Sequence, residues 1–191
     1  MNHNQSVVIT GIGAVSPLGL DIQSSWSELI EGRSGIEFIT AFDTEGFDTR
    51  FAGEVKSFDP EQYMDRKDAR RMDRFAQFAV TAAKEACKQA DLDISKLDPF
   101  RVGVVVGSGI GGIVTLSEQQ EVLNTRGPRR VTPFLIPMML GDMASAQVSM
   151  ATGAMGANFC TVSSCSSGAD ALGRGWEMIR RGQADVVIAG G

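Results

Sequence analysis

The chain has 191 residues, of which 43% are hydrophobic and 21% charged, and a formal net charge of −5. This length suits one domain with a substantial core, and the composition excludes a disordered or fibrous protein. The negative charge argues against general nucleic-acid binding, and no run approaches the roughly 18 apolar residues of a membrane span. Because the start MNHNQS also lacks a secretory signal pattern, we predict a cytoplasmic protein.

The first predicted elements are a buried strand and a capped helix. The apolar, β-branched run 7–10 precedes a Gly-Ile-Gly sequence, a pattern typical of a central parallel strand that ends in a tight turn. Asp21 is placed to cap a helix that continues to about Glu31 and ends at Gly32. The predicted inner face of this helix consists of Trp26, Leu29 and Ile30. Residues 33–60 are predicted as loop, apart from a short strand over 51–55.

A long alanine-rich helix is predicted from Asp65, because small and apolar residues recur there at three- and four-residue steps. Its inner face would consist of Met72, Phe75, Ala79, Ala82, Ala86 and Ala90. The elements predicted after it are a buried strand over 101–106, helices over 113–123 and 136–150, a strand over 158–163, a helix to about Arg181 ended by Gly182, and a strand over 185–189.

This alternation of strands and helices predicts an α/β fold with a mostly parallel sheet and helices on its faces. Active sites of such folds lie at the carboxyl ends of the strands. The candidate site is therefore formed by the loops that follow Thr10, Val106 and Ser163.

The loop after the second buried strand reads GSGIGG, so Gly107, Gly109 and Gly112 match the dinucleotide-binding pattern GxGxxG. About 20 residues further on, however, the chain reads NTRGPRR, with no strand that ends in an acidic residue for a ribose. We therefore interpret these glycines as a wall that allows close backbone approach, and we predict no nicotinamide or flavin cofactor.

The sequence SSCSSG places one thiol, Cys165, where a strand gives way to a helix. A helix N-terminus favours the thiolate, small neighbours leave room for a carbonyl substrate, and a backbone N–H at the same turn can stabilise an oxyanion. The alternative is an inert buried cysteine, which is how we interpret Cys87 on its helix face and Cys160 within its strand. Position alone leaves both interpretations of Cys165 open.

Cations cluster at the start of the long predicted helix: Arg66, Lys67, Arg70, Arg71 and Arg74. They form either a solvated helix face or a docking patch for an acidic partner, which Arg126, Arg129 and Arg130 would extend. No metal site is predicted, because the three cysteines form no CxxC pair and the single histidine, His3, lies in a polar tail.

Six segments resemble the N-terminal half of the β-ketoacyl-[acyl-carrier-protein] synthases, most closely the synthase II type of bacterial fatty-acid synthesis. In order, they read VVITGIGAVSPLG, MDRKDARRMDRF, GSGIGG, PRRVTPFLIP, SSCSSGADAL and ADVVIAGG. The resemblance extends over essentially the whole chain, and six ordered motifs are far more specific than any one of them.

The resemblance implies a thiolase-like α/β fold of two similar halves, each with a mixed, mostly parallel five-stranded sheet, with residues 1–191 as one N-terminal domain. It implies that malonyl-carrier protein is decarboxylated and condensed with an acyl thioester held on Cys165, whose own N–H is one oxyanion donor. It also implies a homodimer, formed through a strand near 158–163, and no cofactor. The residues that it assigns to the acyl tunnel are Ile110, Phe134 and Leu135. Those that it assigns to binding the acidic acyl carrier protein are Lys67, Arg70, Arg71, Arg129 and Arg130.

The chain departs from the family pattern in two ways. Ser164 stands where the family often has alanine, which adds a hydroxyl beside the thiol. The family's two catalytic histidines and its lysine belong to the second half, whereas this chain ends at Gly191. We therefore expect a fragment, or half of a split synthase, that does not decarboxylate malonyl-carrier protein by itself. A polyketide ketosynthase and a non-catalytic partner subunit of the chain-length-factor type are the alternatives, and the presence of Cys165 argues against the second.

Overall fold

The computed structural model describes residues 6–191, so the polar tail with His3 lies outside the described residues. The helices are α1 (Ile22–Ile30), α2 (Arg66–Ala69), α3 (Arg74–Gln89), α4 (Ile113–Arg126), α5 (Leu135–Met139), α6 (Met143–Thr152) and α7 (Ser167–Arg180). The strands are β1 (Ile36–Phe38), β2 (Phe51–Gly53), β3 (Val102–Val106), β4 (Asn158–Phe159) and β5 (Val186–Gly190). Short 3₁₀ turns span Pro60–Gln62, Ile94–Lys96, Pro99–Arg101, Pro128–Arg130 and Ser164–Ser166.

The central sheet is parallel, with β3 between β4 and β5. Val102 and Val104 face a core layer that contains Val80 of α3 and Val148 of α6. Val105 points to the opposite face and packs in a cluster with residues of α7. The sheet therefore lies between two helical layers, and the alternating side chains of β3 contribute to both. Strands β1 and β2 form a separate antiparallel pair.

The predicted first strand over 7–10 is wrong, because this run pairs with no strand within residues 6–191. The chain instead lies against α3, where Ile12 N–H donates to Gln89 Oε1 at 2.6 Å and Ala14 N–H donates to Glu85 Oε2 at 2.9 Å. A Cβ on Gly11 would lie 2.0 Å from the carbonyl oxygen of Ala86. The parallel sheet therefore has three strands in the described chain, not the five that the resemblance implied.

Asp21 caps α1 as predicted, and its carboxylate accepts the Ser24 N–H at 2.7 Å. The predicted inner face is wrong, since Trp26, Leu29 and Ile30 are all more than half exposed. The buried residue of α1 is Ser25, whose hydroxyl donates to the Gly19 carbonyl at 3.1 Å. The helix therefore packs through a polar contact within the described residues.

The long helix predicted from Asp65 is divided into two helices. Helix α2 ends at Ala69 with Arg70 as its C-cap, and Asp73 begins α3 as its N-cap, accepting the Phe75 N–H at 3.3 Å. The helix predicted over 136–150 is also interrupted, by residues 140–142 between α5 and α6. The helical spacing of apolar residues continues through both interruptions, so the sequence pattern does not predict where the helices break.

The remaining predicted elements occur, and β5 has the predicted length, displaced by one residue. Strand β3, helix α4 and strand β5 lie where the pattern placed them, and α7 ends before Gly182, whose φ of +68° suits a glycine. The strand predicted over 158–163 is limited to Asn158–Phe159. No helix within 6–191 is long and apolar enough to cross a membrane.

Candidate active site

Cys165 lies in the 3₁₀ turn Ser164–Ser166, immediately before α7 and exposed to solvent. Cys165 thus lies at the predicted strand-to-helix junction, one short turn before the first residue of α7. The turn follows β4 at the carboxyl end of the parallel sheet, which is where substrates of such folds bind. The thiol is therefore accessible.

The side chain of Ser167 fixes this turn from inside. Ser167 is only 3% exposed; its Oγ accepts the Ser163 N–H at 3.0 Å and donates to the Ser164 carbonyl at 2.7 Å. Its own carbonyl accepts the Thr161 hydroxyl at 2.8 Å. These bonds connect the residues on both sides of Cys165.

Two further hydroxyl groups support the turn from outside. The Ser163 hydroxyl donates to the carboxylate of Asp170, which lies in the first turn of α7, where the helix dipole favours a negative charge. The Ser166 hydroxyl donates to the Ser163 carbonyl at 2.8 Å. The serines around Cys165 are therefore structural partners of the backbone as well as small neighbours.

Two features of the backbone in this turn are relevant to oxyanion binding. Ser164 has φ of +54°, a left-handed conformation that is uncommon for a residue other than glycine. The Cys165 N–H has no hydrogen-bond acceptor among the described residues. That N–H remains available to a bound oxyanion.

The GSGIGG loop packs directly on this turn. A Cβ on Gly107 would lie 2.3 Å from the Ser167 carbonyl oxygen, and one on Gly109 would lie 3.4 Å from the Ser164 Cα. Gly107 and Gly109 therefore allow the close backbone approach that the sequence predicted, and the backbone that approaches them is that of the cysteine turn.

The other two thiols are partly buried, and burial raises the pKa of both Cys87 and Cys160. Cys160 lies just after β4, not within a strand as predicted, and its thiol donates to the Thr161 carbonyl at 3.3 Å. Both are poor nucleophiles at neutral pH, because less of each thiol is in the thiolate form.

The candidate acyl-tunnel residues lie on two connected segments. Ile110 is 72% exposed on the GSGIGG loop, whereas Phe134 and Leu135 lie at the start of α5. The loop is joined to the end of α5, since the Gly112 N–H donates to the Met139 carbonyl at 2.9 Å. The structure therefore links these segments, and Ile110 follows Gly109, the loop residue that approaches Ser164.

The candidate carrier-binding cations are exposed on two segments. Lys67, Arg70 and Arg71 lie on α2 and in the connection to α3, and Arg129 and Arg130 lie on a 3₁₀ turn. None of the five forms a salt bridge with residues 6–191. No acidic side chain of the described residues therefore neutralises these five cations.

The neighbouring cations of this cluster are engaged within the chain. Arg66 pairs with Glu61 at 3.1 Å, and Arg74 donates to the Val55 carbonyl at 2.5 Å. Arg71, in the connection between α2 and α3, is an exception among the five candidate residues: its guanidinium lies 4.8 Å from the centre of the ring of Phe134, the residue before α5, in a cation–π contact. This contact joins a candidate docking residue to a candidate tunnel residue.

Sequence reasoning missed two residues that organise this region, Asp73 and Ser167. The aspartate before an alanine-rich helix was a recognisable capping signal. The role of Ser167 had no such signal, because it depends on the folded turn.

Comparison with known proteins decides the family. Residues 4–191 match the family model described as "Beta-ketoacyl synthase, N-terminal domain". The chain belongs to this family. This β-ketoacyl synthase domain is 47% identical to 3-oxoacyl-[acyl-carrier-protein] synthase 2 of Staphylococcus aureus (strain COL), over 100% of the chain and 46% of that relative. The chain thus spans about half the length of the curated relatives it matches.

Solved structures give the same fold for the β-ketoacyl synthase domain. The ishigamide ketosynthase/chain length factor matches with a TM-score of 0.87 and 29% identity, over 96% of this chain and 46% of that one. A type II polyketide ketosynthase solved with its acyl-carrier protein matches with a TM-score of 0.79 and 25% identity, over 95% and 48%. The expected thiolase-like α/β fold is therefore confirmed.

Proposed function

We propose that this chain contributes the acyl-accepting part of a 3-oxoacyl-[acyl-carrier-protein] synthase of fatty-acid elongation. The observation that carries the proposal is an exposed thiol, Cys165, on a turn whose own N–H has no acceptor within residues 6–191. The 47% identity to a synthase 2 over the full chain supports the elongation reaction, compared with 25–29% for the polyketide-type structures.

In the proposed acyl transfer, the Cys165 thiolate attacks the carbonyl carbon of an acyl thioester carried by acyl carrier protein. A carbon–sulfur bond forms, and the carbonyl π electrons move to oxygen, giving a tetrahedral oxyanion that the Cys165 N–H stabilises. Collapse of this intermediate restores the carbonyl and expels the carrier thiolate, which takes up the proton that Cys165 released. The acyl chain is then held on Cys165.

The second step is decarboxylation of malonyl-carrier protein and attack of its carbanion on this thioester. The carbon–carbon bond forms as the Cys165 sulfur leaves as thiolate, and carbon dioxide is released. The chain has a single histidine, His3, outside the described residues, so the residues around Cys165 account here for the acylation step only.

The acyl chain is proposed to lie against Ile110, Phe134 and Leu135. The hydrogen bond from Gly112 to Met139 supports this placement, since it joins the end of α5 to the GSGIGG loop, and that loop packs on the cysteine turn. Exposed apolar side chains such as Ile110 are suited to a hydrocarbon chain.

Acyl carrier protein is the proposed macromolecular partner. Its acidic surface would contact Lys67, Arg70, Arg71, Arg129 and Arg130, which form no salt bridges with the described chain. The related polyketide ketosynthase was solved with such a carrier. A homodimer formed through the region 158–163, a cytoplasmic location and a single domain over residues 1–191 complete the proposal.

An elongation assay tests this proposal. The full-length gene product that contains this chain is mixed with acyl- and malonyl-carrier protein, and the 3-oxoacyl product is measured by mass spectrometry. We expect product with the wild-type protein and none with Cys165→Ala, while Cys160→Ala retains most activity. Equal product from the Cys165→Ala protein would overturn the assignment.

A further inference from the structure

Ser167 contacts one peptide group just before the cysteine turn and one within it. Its buried Oγ accepts the Ser163 N–H at 3.0 Å and donates to the Ser164 carbonyl at 2.7 Å. The Ser164 carbonyl and the Cys165 N–H are the two ends of one peptide group. A hydrogen bond to the Ser164 carbonyl therefore also affects the orientation of the Cys165 N–H.

A peptide group is planar and almost always trans, so its carbonyl and N–H point in opposite directions. The Ser164 carbonyl accepts both the Ser167 N–H and the Ser167 hydroxyl, and these two bonds together fix the direction of the Cys165 N–H. Ser167→Ala removes the second bond and keeps the first. A hydrogen bond to the carbonyl also polarises the peptide and makes its N–H a stronger donor. The Cys165 N–H has no acceptor among residues 6–191, so it is free to donate to an oxyanion.

The backbone of the turn shows why such a contact is needed. Ser164 has φ of +54°, and a residue with a Cβ does not retain that conformation unless its surroundings impose it. The Ser167 bonds on both sides of Ser164 supply this constraint. Strained residues of this kind cluster at functional sites, where the strain is part of the preorganisation.

We propose that Ser167 is a positioning residue that orients and polarises the Cys165 N–H for oxyanion stabilisation. The inference rests on the proposed function, because it assumes that Cys165 is acylated. Ser167 touches neither the substrate nor the Cys165 sulfur in this role. It acts only through the peptide between Ser164 and Cys165.

Two reactions of the same thiol separate this role from a merely structural one. Acylation of Cys165 by the N-acetylcysteamine thioester of decanoic acid passes through an oxyanion, whereas alkylation by iodoacetamide is a displacement at a saturated carbon and forms none. Both rates are measured on the full-length gene product by intact-protein mass spectrometry. The ratio of the two rates reports on the oxyanion donor.

Ser167→Ala is expected to slow acylation about tenfold and to change alkylation by less than about twofold, since loss of an entire oxyanion donor costs on the order of 10²–10³. Ser166→Ala is the matched control. It removes a hydroxyl from the same turn, but that hydroxyl donates to the Ser163 carbonyl, which belongs to a different peptide. The control should leave the ratio unchanged.

The outcomes distinguish the two proposals. Absence of wild-type acylation at Cys165 would overturn the proposed function. Wild-type acylation with an unchanged rate ratio for Ser167→Ala would overturn the role of Ser167, as would an equal loss of both rates. If Ser167→Ala does not fold, the same ratio is measured with Ser167→Ala in a Ser164→Gly background, because glycine adopts positive φ without strain.

Discussion

The Asp73 carboxylate accepts the Thr115 N–H at 2.9 Å, although Asp73 caps α3 and Thr115 lies in the first turn of α4. The residue before α4 is Gly112, which has no side chain to cap it. One buried carboxylate therefore stabilises the N-termini of two helices. Because α4 follows the GSGIGG loop directly, this bond also connects the basic segment around α2 to the wall of the cysteine turn.

Replacing Asp73 with Ala is predicted to lower the free energy of unfolding by about 2–3 kcal/mol, because a buried Thr115 N–H loses its acceptor and α3 loses its cap. Asp65→Ala is the control, since Asp65 precedes α2 without a side-chain capping bond. It should cost less than about 0.5 kcal/mol. Urea unfolding measures both, and equal effects would contradict the double-capping role.

The glycine wall gives a second prediction. Gly107→Ala introduces a Cβ 2.3 Å from the Ser167 carbonyl oxygen, so we expect a loss of about 1–3 kcal/mol of stability. Gly173→Ala, on α7, is the control, because its Cβ would meet nothing within 4 Å. That change should stabilise the protein by about 0.5–1 kcal/mol through helix propensity. Thermal unfolding measures the stability of both variants, which should change in opposite directions: down for Gly107→Ala and up for Gly173→Ala.

The pH dependence of thiol modification gives a third prediction. Burial disfavours the thiolate and so raises the pKa of Cys87 and Cys160, and each reaches its reactive form only at a higher pH than an ordinary thiol. At pH 7, iodoacetamide should therefore modify Cys165 first. Peptide mapping after timed labelling measures the three rates, and faster labelling of either buried thiol would contradict the assignment.

Charge reversal tests the proposed carrier surface. Lys67→Glu combined with Arg70→Glu should weaken binding of acyl carrier protein roughly tenfold at low salt, with a smaller effect at high salt because screening reduces both affinities. Lys96→Glu is the control, an exposed cation outside the two candidate segments. Fluorescence anisotropy with labelled carrier protein measures the affinities. Unchanged binding at low salt would contradict the carrier surface and show that Lys67 and Arg70 belong to a solvated helix face.

Local signals in the sequence predicted local structure. The cap at Asp21, the valine run of β3 and the helix end at Gly182 each depend on residues adjacent in the chain, and the structure has all three. A short strand-to-helix pattern also singled out Cys165, but it left the role of the thiol open, and only the family resemblance made it the acyl acceptor. Its exposure agrees with that interpretation.

Tertiary contacts explain what the sequence did not predict. Residues 7–10 have strand composition, yet the segment that follows them bonds to side chains of α3. The contact of Arg71 with Phe134 joins segments about 60 residues apart, and the role of Ser167 depends on a positive φ at Ser164. Neither periodicity nor composition carries information on such partners.

Adduct mapping tests the central claim, that Cys165 is the acyl acceptor, most directly. The full-length gene product is incubated with a long-chain acyl carrier protein or with the thiol-directed inhibitor cerulenin, digested, and the modified peptide is identified by mass spectrometry. We predict one adduct, on the peptide that contains Cys165, and its loss in Cys165→Ala. An adduct on Cys87 or Cys160, with Cys165 unmodified, would contradict the account.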